Sequence, residues 1–563
     1  MIYTEAQIEA INDRSRLLVI NSLAGTGKTT TIVQRIKKII LDDGVSPDRI
    51  MAITFTNKMG EELQEKLPEL KWVGNFHKIA LRLINKCRGE HTVLPENEWK
   101  DLVKDVEKRT FFKKNGIKLL AGYKDQNRLR YDEQYFIEEY RKFMSWNKLL
   151  TYDDIEIMLL DMLGKGEIKE KFRHFIVDEF QDTTEIEMDI VERFDHDYLT
   201  IVGDSSQNIY EWRGTRVENI LEMAKKADKV IVLDESFRVP LRNLPVVNHI
   251  LGKINLNTGP MKTFNKVGNT TIYTGRTSED VIREIMPKLL SIFAPSEIAI
   301  LCRYNQQVTK YSDIVKEMTP KVNAINARVG WNSKVGMKIL MFIRFCLGDK
   351  NNYALNSLFR AIEIDDPMVI QKWLIDSNIA ISNGDNKSII EVAMEGDNTS
   401  KNLIKDLLTV SNNDSMTMTD KINHFYEAYV TDRVEASFYQ IGDRVIFERI
   451  KEGIDNFIKK HGNDNRALYR WALTMDAQDF VDTDSNMNIM TYHVAKGLEF
   501  PVVIMPDIQD SIFPKNYANL QADYRLCYVG ATRAKNLLYL IKTGESVFVD
   551  DFKEEKIGEN NER

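Results

Sequence analysis

The sequence predicts an α/β protein with two parallel-sheet domains, each interrupted by a mostly helical insertion, and three observations predict it. An apolar run, LLVI (17–20), passes through a glycine-containing loop into a helix and then a second apolar run, which is a βαβ unit. Two more apolar runs, HFIVDEF (174–180) and LTIVGD (199–204), carry carboxylates at their ends. The pattern then restarts with KVIVLD (229–234), EIAILCR (297–303), PVVIMPD (501–507) and LLYLI (537–541), which gives a second sheet.

In chain order, TTTIVQRIKKII (29–40) reads as a helix with Ile32, Ile36 and Ile39 on one side, and IMAITF (50–55) as the next strand. The first sheet domain is expected over 1–87 and 151–232, with a helical insertion at 88–150. The second is expected over 233–347 and 485–549, with an insertion at 348–484. Within that insertion ISNGDNKS (381–388), GDNTS (396–400) and SNNDS (411–415) read as loops between helices, and 550–563 as a frayed acidic tail. No fixed-period repeat is visible. A chain of 563 residues is too long for one hydrophobic core, which agrees with this division.

With 43% apolar and 29% charged residues the chain reads as an ordinary folded protein. Cys87, Cys302, Cys346 and Cys527 lie far apart, which argues against a zinc site or disulfide framework and for a reducing cytoplasm. The polar start MIYTEAQIEAINDR is unlike a signal peptide, and no apolar run approaches the roughly 20 residues of a membrane helix. The net charge of −7 argues weakly against nucleic acid, but binding depends on local patches. From Lys100 to Arg130 ten Lys/Arg stand against four Asp/Glu, with Phe111, Phe112 and Tyr123 among them. Alone, such a run describes a solvated helical face.

The loop NSLAGTGKTTT supplies the first chemistry. Glycines let a backbone fold around phosphates, and the following helix points its free N–H groups at them. Ser22, Ala24, Gly25, Thr26, Gly27, Lys28, Thr29 and Thr30 are therefore expected to bind nucleotide, with Lys28 on the β- and γ-phosphates and Thr29 on Mg²⁺. Ser22 stands where the strict pattern has its first glycine. Asp178 and Glu179 end a strand as a Walker B pair, Asp178 holding Mg²⁺ and Glu179 polarising the attacking water. An acidic pair at a strand end is often only a solvated edge. Beside Lys28, at the carboxyl ends of parallel strands, it acquires a role.

The residues that follow are more specific. DEFQDT (178–183), VGDSSQNIYEWRGT (202–215), LDESFR (233–238), TFTNK (54–58), NFHKIALRLI (75–84), TYHVAKGLEF (491–500) and YRLCYVGATRAK (524–535) resemble, in order, the motifs of the UvrD/PcrA/Rep group of superfamily 1 DNA helicases. The resemblance implies two RecA-like P-loop motor domains with ATP bound in the cleft where they face each other. It implies that Gln7 reads the adenine edge, that Phe237 stacks on the base in place of a commoner tyrosine, and that Glu499 meets the ribose. It makes Gln207 a γ-phosphate sensor and Arg238 and Arg533 the arginines offered to the transferring phosphoryl group. The DNA track it implies comprises Phe55, Tyr210 and Trp212 as stacking platforms and Thr54, Asn57, His77, Arg213, Thr491 and His493 as polar contacts. Tyr210 and Trp212 in IYEWRG read as alternate exposed aromatics. Neither His77 nor His493 has metal-ligand spacing to a partner.

Ser236, Glu187, Gly530 and Ala531 depart from the family's common residues, but none of the changes removes a catalytic group. The expected activity is ATP-dependent, 3′–5′ movement on single-stranded DNA with unwinding at single-strand/duplex junctions. The alternative is a translocase that displaces proteins or drives a nuclease, repair or defence complex. A non-motor nucleotide switch is a third reading, opposed by the complete set of ATP residues. A nuclease, repair or replication protein is the expected kind of partner, and no membrane is.

Overall fold

The computed structural model describes residues 3–94, 96–121, 130–146, 148–254, 259–325, 334–347, 389–395, 398–430, 438–462, 464–474 and 484–552, with isolated positions 256, 358 and 481. Two six-stranded sheets organise it. The first contains β1 (Leu17–Ser22), β2 (Ile50–Thr54), β3 (Trp72–Asn75), β4 (Phe172–Val177), β5 (His196–Gly203) and β6 (Lys229–Leu233), in the spatial order β3-β2-β4-β5-β1-β6. The second contains β7 (Asn269–Thr274), β8 (Ile298–Cys302), β9 (Val322–Ile325), β10 (Met487–Thr491), β11 (Phe500–Met505) and β12 (Ala534–Lys542), in the order β7-β12-β11-β8-β10-β9. Every pairing in both sheets is parallel. Parallel strands need crossovers, and the helices that supply them cover the sheets with apolar faces. Ile32, Ile36 and Ile39 of the helix Lys28–Leu41 pack on Leu18, Ile20, Ile50 and Val202. In the second sheet Val281, Ile285, Val308 and Tyr311 do the same on Ile298, Ile300, Ile489 and Ile504.

KVIVLD, expected to begin the second sheet, instead closes the edge of the first, pairing with β1 from Leu18↔Lys229 to Ser22↔Leu233. Val230 and Val232 are 43% and 46% exposed there, the alternation of a strand with one open face. The helix Phe76–Arg88 follows β3 directly and buries Phe76, Ile79, Ala80, Leu83 and Ile84.

By contact the chain forms two compact units, one of Met1–His91, Tyr152–Asn326 and Val481–Arg563, the other of Thr92–Thr151 and Ala327–Phe480. Both sheets lie in the first unit. The second has its own cores. Phe112, Phe136, Ile137 and Tyr140 form one. Phe342, Phe425, Tyr426, Phe447 and Ile454 form another, with Tyr426 stacked on Phe447 at 3.6 Å between centroids. The helix Lys334–Cys346 belongs to that second core, so the helical segment takes in residues before 348. Of the expected loops, 411–415 joins the helices Asn398–Ser411 and Met418–Tyr429; 398–400, expected in a loop, instead begin the first of these helices, and 381–388 and 396–397 lie outside the described residues. The acidic end begins anchored: Asp551 pairs with Lys253 at 2.8 Å, and residues beyond 552 lie outside the described part. No described helix is long and apolar enough to cross a membrane.

Candidate functional site

Strand order creates the site. β5 lies between β4 and β1, so the loops leaving the carboxyl ends of these three strands are neighbours. From β1 the chain enters the glycine loop, with Gly25 at φ +72° and Gly27 at φ +78°, and the helix Lys28–Leu41 starts with Gly27 as its left-handed N-cap. A Cβ on Gly25 would lie 2.5 Å from Cβ of Arg238, and one on Gly27 2.6 Å from Nε2 of Gln7. Ser22, in place of a glycine, hydrogen-bonds within the loop. The Thr26 hydroxyl donates to Leu23 O at 2.9 Å, so Ser22 Oγ donates to Thr26 Oγ1 at 2.7 Å. Gln7 closes a capping box with Thr4 and donates from Nε2 to Thr26 O at 3.0 Å, which fixes the first helix against the loop. Thr29 and Thr30 follow, half-buried, in the first helical turn.

Lys28 Nζ contacts Glu179 Oε1 and lies 3.6 Å from Asp178 Oδ1. Burial disfavours its charge, but the two carboxylates outweigh that and hold Lys28 above its ordinary value. Burial raises Asp178, while for Glu179 the burial effect is overcome by Lys28 and Lys496, which hold it low. Glu179 occupies the left-handed region at φ +54°, turning its carboxylate back over the strand end toward Lys28.

Two glutamines connect this centre to the next loop. Gln181 Nε2 donates to Glu179 Oε2 at 2.5 Å, and its Oε1 accepts from Asp204 N at 2.9 Å. Gln207 Nε2 donates to Asp204 Oδ2 at 2.6 Å, while its Oε1 accepts from Arg533 Nη2 at 2.9 Å. Arg533 is 1% exposed and also donates to Val529 O and Leu498 O, at 2.9 and 3.3 Å. Burial pushes its guanidinium down to about 9, still cationic at neutral pH. The second sheet's chain thus reaches the first at several points. Lys496 Nζ pairs with buried Asp182 and donates to Gln207 O at 2.9 Å. Arg525 donates to Asn208 O at 2.8 Å, and Tyr528 Oη accepts from Ala24 N at 3.4 Å.

Ser236, Phe237 and Arg238 lie against the loop: Ser236 Oγ donates to Ala24 O and Phe237 N to Gly25 O, both at 2.9 Å. The Phe237 ring is 43% exposed and stacks on Phe264 at 5.2 Å. Arg238 and Glu499 meet each other, Nε to Oε2 at 2.7 Å, and Lys535 approaches the same carboxylate at 3.2 Å. The loop, the acidic pair, Gln207 and Arg533 are therefore together, while Arg238 is held by Glu499 beside them.

The residues expected to form a DNA track divide. Phe55 stacks on Tyr210 at 5.1 Å; Tyr210 is 6.0 Å and Trp212 6.5 Å from the His493 ring. Arg213 lies over Trp212 at 4.9 Å. Of the rings of Phe55, Tyr210 and Trp212, Trp212 alone is openly exposed, at 68%, and Arg213 is exposed beside it. Tyr210 is 8% exposed, which corrects the expectation of alternate exposed rings. A short 3-10 turn at Glu211–Arg213 carries Trp212 outward, while Tyr210 is held under Phe55 and donates to His493 O at 3.3 Å. Burial, then Arg303, push His493 down to about 4, so it is neutral at pH 7. Thr54 is buried with its hydroxyl turned to Thr56 O at 3.1 Å, and Thr491 is half-buried at the start of the turn carrying His493. His77 stands apart from this cluster, edge-on to Tyr152 at 4.9 Å and 3.1 Å from Glu156. The Asn57 side chain lies outside the described residues.

Gln181, Asp182, Asp204, Lys496, Arg525 and Tyr528 join the site without having been singled out from the sequence. All lie inside or beside the quoted motifs, and that position was the available signal.

A phosphate loop after one parallel strand, a carboxylate pair after another and an arginine delivered from a second sheet define a P-loop nucleotide-hydrolase architecture with two RecA-like lobes. The UvrD/REP helicase N-terminal domain model matches residues 3–109 and 88–228, and the UvrD-like helicase C-terminal domain model matches 487–541. The ATP-dependent DNA helicase PcrA of Staphylococcus epidermidis is 26% identical over 614 aligned positions, covering 95% of this chain and 82% of that protein. PcrA of Staphylococcus aureus is 26% identical over 616 positions, with the same coverage. The chain belongs to the UvrD-like helicase family.

Proposed function

We propose that the chain is an ATP-driven motor that moves 3′–5′ along single-stranded DNA and unwinds duplex at single-strand/duplex junctions. The observation that carries this reading is Gln207, whose one amide holds Asp204 in the first lobe and Arg533 on the second. A phosphoryl group arriving at Lys28 competes for the contacts that bind Lys28 to Glu179. Glu179, released from Lys28 but still oriented by Gln181, is then free to polarise water, and Gln207 passes the change to Arg533. The loop that begins beyond Gln207 carries Tyr210 and Trp212, which links phosphate chemistry to the aromatic track. In this reading the sheet β1–β6 is the first motor domain, the sheet β7–β12 the second, and the helical unit an accessory part.

ATP is the substrate, with Gln7, Phe237 and Glu499 at the base and ribose. The positive-φ glycines and the all-oxygen donor set of Thr29 and Asp178 fit a hard divalent ion shared with substrate phosphates, so Mg²⁺ would be held there. Bound Mg²⁺ supplies charge neutralisation at the phosphates. Among the described residues no group of three or more His, Cys, Asp or Glu forms a separate metal cluster.

Strand displacement from 3′-tailed and 5′-tailed duplexes tests the reading. Unwinding from 3′ tails alone is expected, and unwinding from 5′ tails alone overturns the polarity. DNA-stimulated ATP hydrolysis with no strand separation on either substrate would leave a translocase that clears proteins or drives a nuclease or repair partner.

A further inference from the structure

The opposite end of the first sheet carries a second charged feature. Arg16 precedes β1, Arg49 precedes β2, Arg173 lies near the start of β4 and Tyr198 near the start of β5, so all four gather at the amino ends of strands. With Asp197 they line a recess of about 300 Å³. The six residues of β1 separate it from the phosphate loop, about 20 Å at the usual strand rise. Among the described residues Arg16, Arg49 and Arg173 make no ion pair, although neighbouring charges do: Lys171 with Asp195 at 2.8 Å, Lys71 with Asp48 at 2.9 Å and Arg14 with Asp43 at 2.6 Å. Three unpaired guanidiniums around one recess repel one another, and an anion placed there relieves the repulsion. On its lining the Tyr198 ring stacks on buried His174, 4.7 Å between centroids at an interplanar angle of 11°.

We infer that this recess is a second anion site, built for a phosphoryl group and distinct from the ATP site. Guanidiniums match phosphate oxygens with paired, planar N–H donors, which a lysine patch would not do. A recess of about 300 Å³ has room for one or two phosphoryl groups. The phosphoryl group can come from a free phosphate compound or from a nucleic-acid backbone, and both offer the same chemistry to the arginines. Asp197 on the rim opposes binding and limits its strength.

The test uses the full chain with its ATP site saturated by a non-hydrolysable ATP analogue. Inorganic pyrophosphate is titrated calorimetrically, and blunt duplex DNA is titrated across a salt series. The variants are Arg49→Gln/Arg173→Gln and Asp197→Asn. If the source is a free phosphate, wild type takes up one pyrophosphate, the arginine variant binds it at least tenfold more weakly, and Asp197→Asn binds it more tightly. If the source is a nucleic-acid backbone, the arginine variant instead shows a salt slope for duplex binding reduced by about one to two. Unchanged melting temperature and basal ATPase keep either result from reflecting misfolding. Equal behaviour of wild type and the arginine variant toward both probes overturns the site.

Discussion

Gly25 shows how little room the nucleotide loop leaves. Its φ of +72° belongs to the left-handed region, and an added Cβ would meet Arg238 Cβ at 2.5 Å and Ser236 Oγ at 2.8 Å. Gly25→Ala therefore adds roughly 1–2 kcal/mol of backbone strain and also pushes away the segment that carries Phe237 and Arg238. ATP affinity is expected to fall tenfold or more, measured with a fluorescent nucleotide, with the helical unit's circular dichroism unchanged. Asp204 sets a pH dependence. Burial raises its carboxyl to about 6, and in the ionised form it accepts from Ser206 N and Gln207 Nε2. Below that pH it protonates and loosens Gln207, so ATPase activity should fall between pH 7 and 5 with a midpoint near 6. The stability term has the opposite sign. The folded carboxyl holds its proton more tightly than the unfolded chain, whose value is about 3.9, so its contribution to stability grows as pH falls through 6. A thermal melt at pH 5.5 should show the protein folded while activity is lost. Asp204→Asn should flatten the acid limb at a lower overall rate; an acid limb unchanged in that variant would remove Asp204 from the explanation.

At the scale of elements, contact between the two sheets depends on a few buried polar pairs. Asp182 is 0% exposed and Lys496 7%, and each is the other's charge partner. Removing one partner of such a pair leaves a buried charge unpaired, at a cost of about 3–5 kcal/mol, whereas removing both can be nearly neutral. Lys496→Met should lower the melting temperature and abolish DNA stimulation of ATPase. Asp182→Asn/Lys496→Met should recover most of the melting temperature but not the stimulation, and a double variant no more stable than Lys496→Met alone would count against the pair. The sequence could identify the elements but not these pairings. LLVI, IMAITF and EIAILCR are continuous apolar runs because their strands are covered on both faces, and such runs are legible. β3, β7, β9 and β10 were not: WVGN and VNAI are four residues long, and NTTIYT is polar at the sheet edge. KVIVLD was legible as a strand, but which sheet takes an edge strand is decided by tertiary pairing. Likewise Lys28, Asp178 and Glu179 are recognisable from local pattern, whereas the link from Gln207 to Arg533 spans 326 positions. Tyr210 was legible as a ring in a loop, but its burial depends on Phe55 and His493 from elsewhere in the chain.

On the scale of the whole molecule, the two compact units have separate hydrophobic cores and different relations to the nucleotide. The first contains the glycine loop, Asp178, Glu179, Gln207, Arg238, Glu499 and Arg533; the second, of segments Thr92–Thr151 and Ala327–Phe480, contains none of them. Separate cores permit separate unfolding, and two-state behaviour is not the expectation for a chain of this size. A ligand stabilises only the structure that binds it, by about 2.7 kcal/mol at a hundredfold excess over its dissociation constant. Differential scanning calorimetry should therefore resolve two transitions. A non-hydrolysable ATP analogue with Mg²⁺ should raise the one belonging to the sheet-bearing unit and leave the other in place. Gly25→Ala should remove that response while keeping both transitions. A single transition that moves as a whole with nucleotide would mean that the helical segments and the sheets unfold as one body, and that nucleotide binding is felt across both.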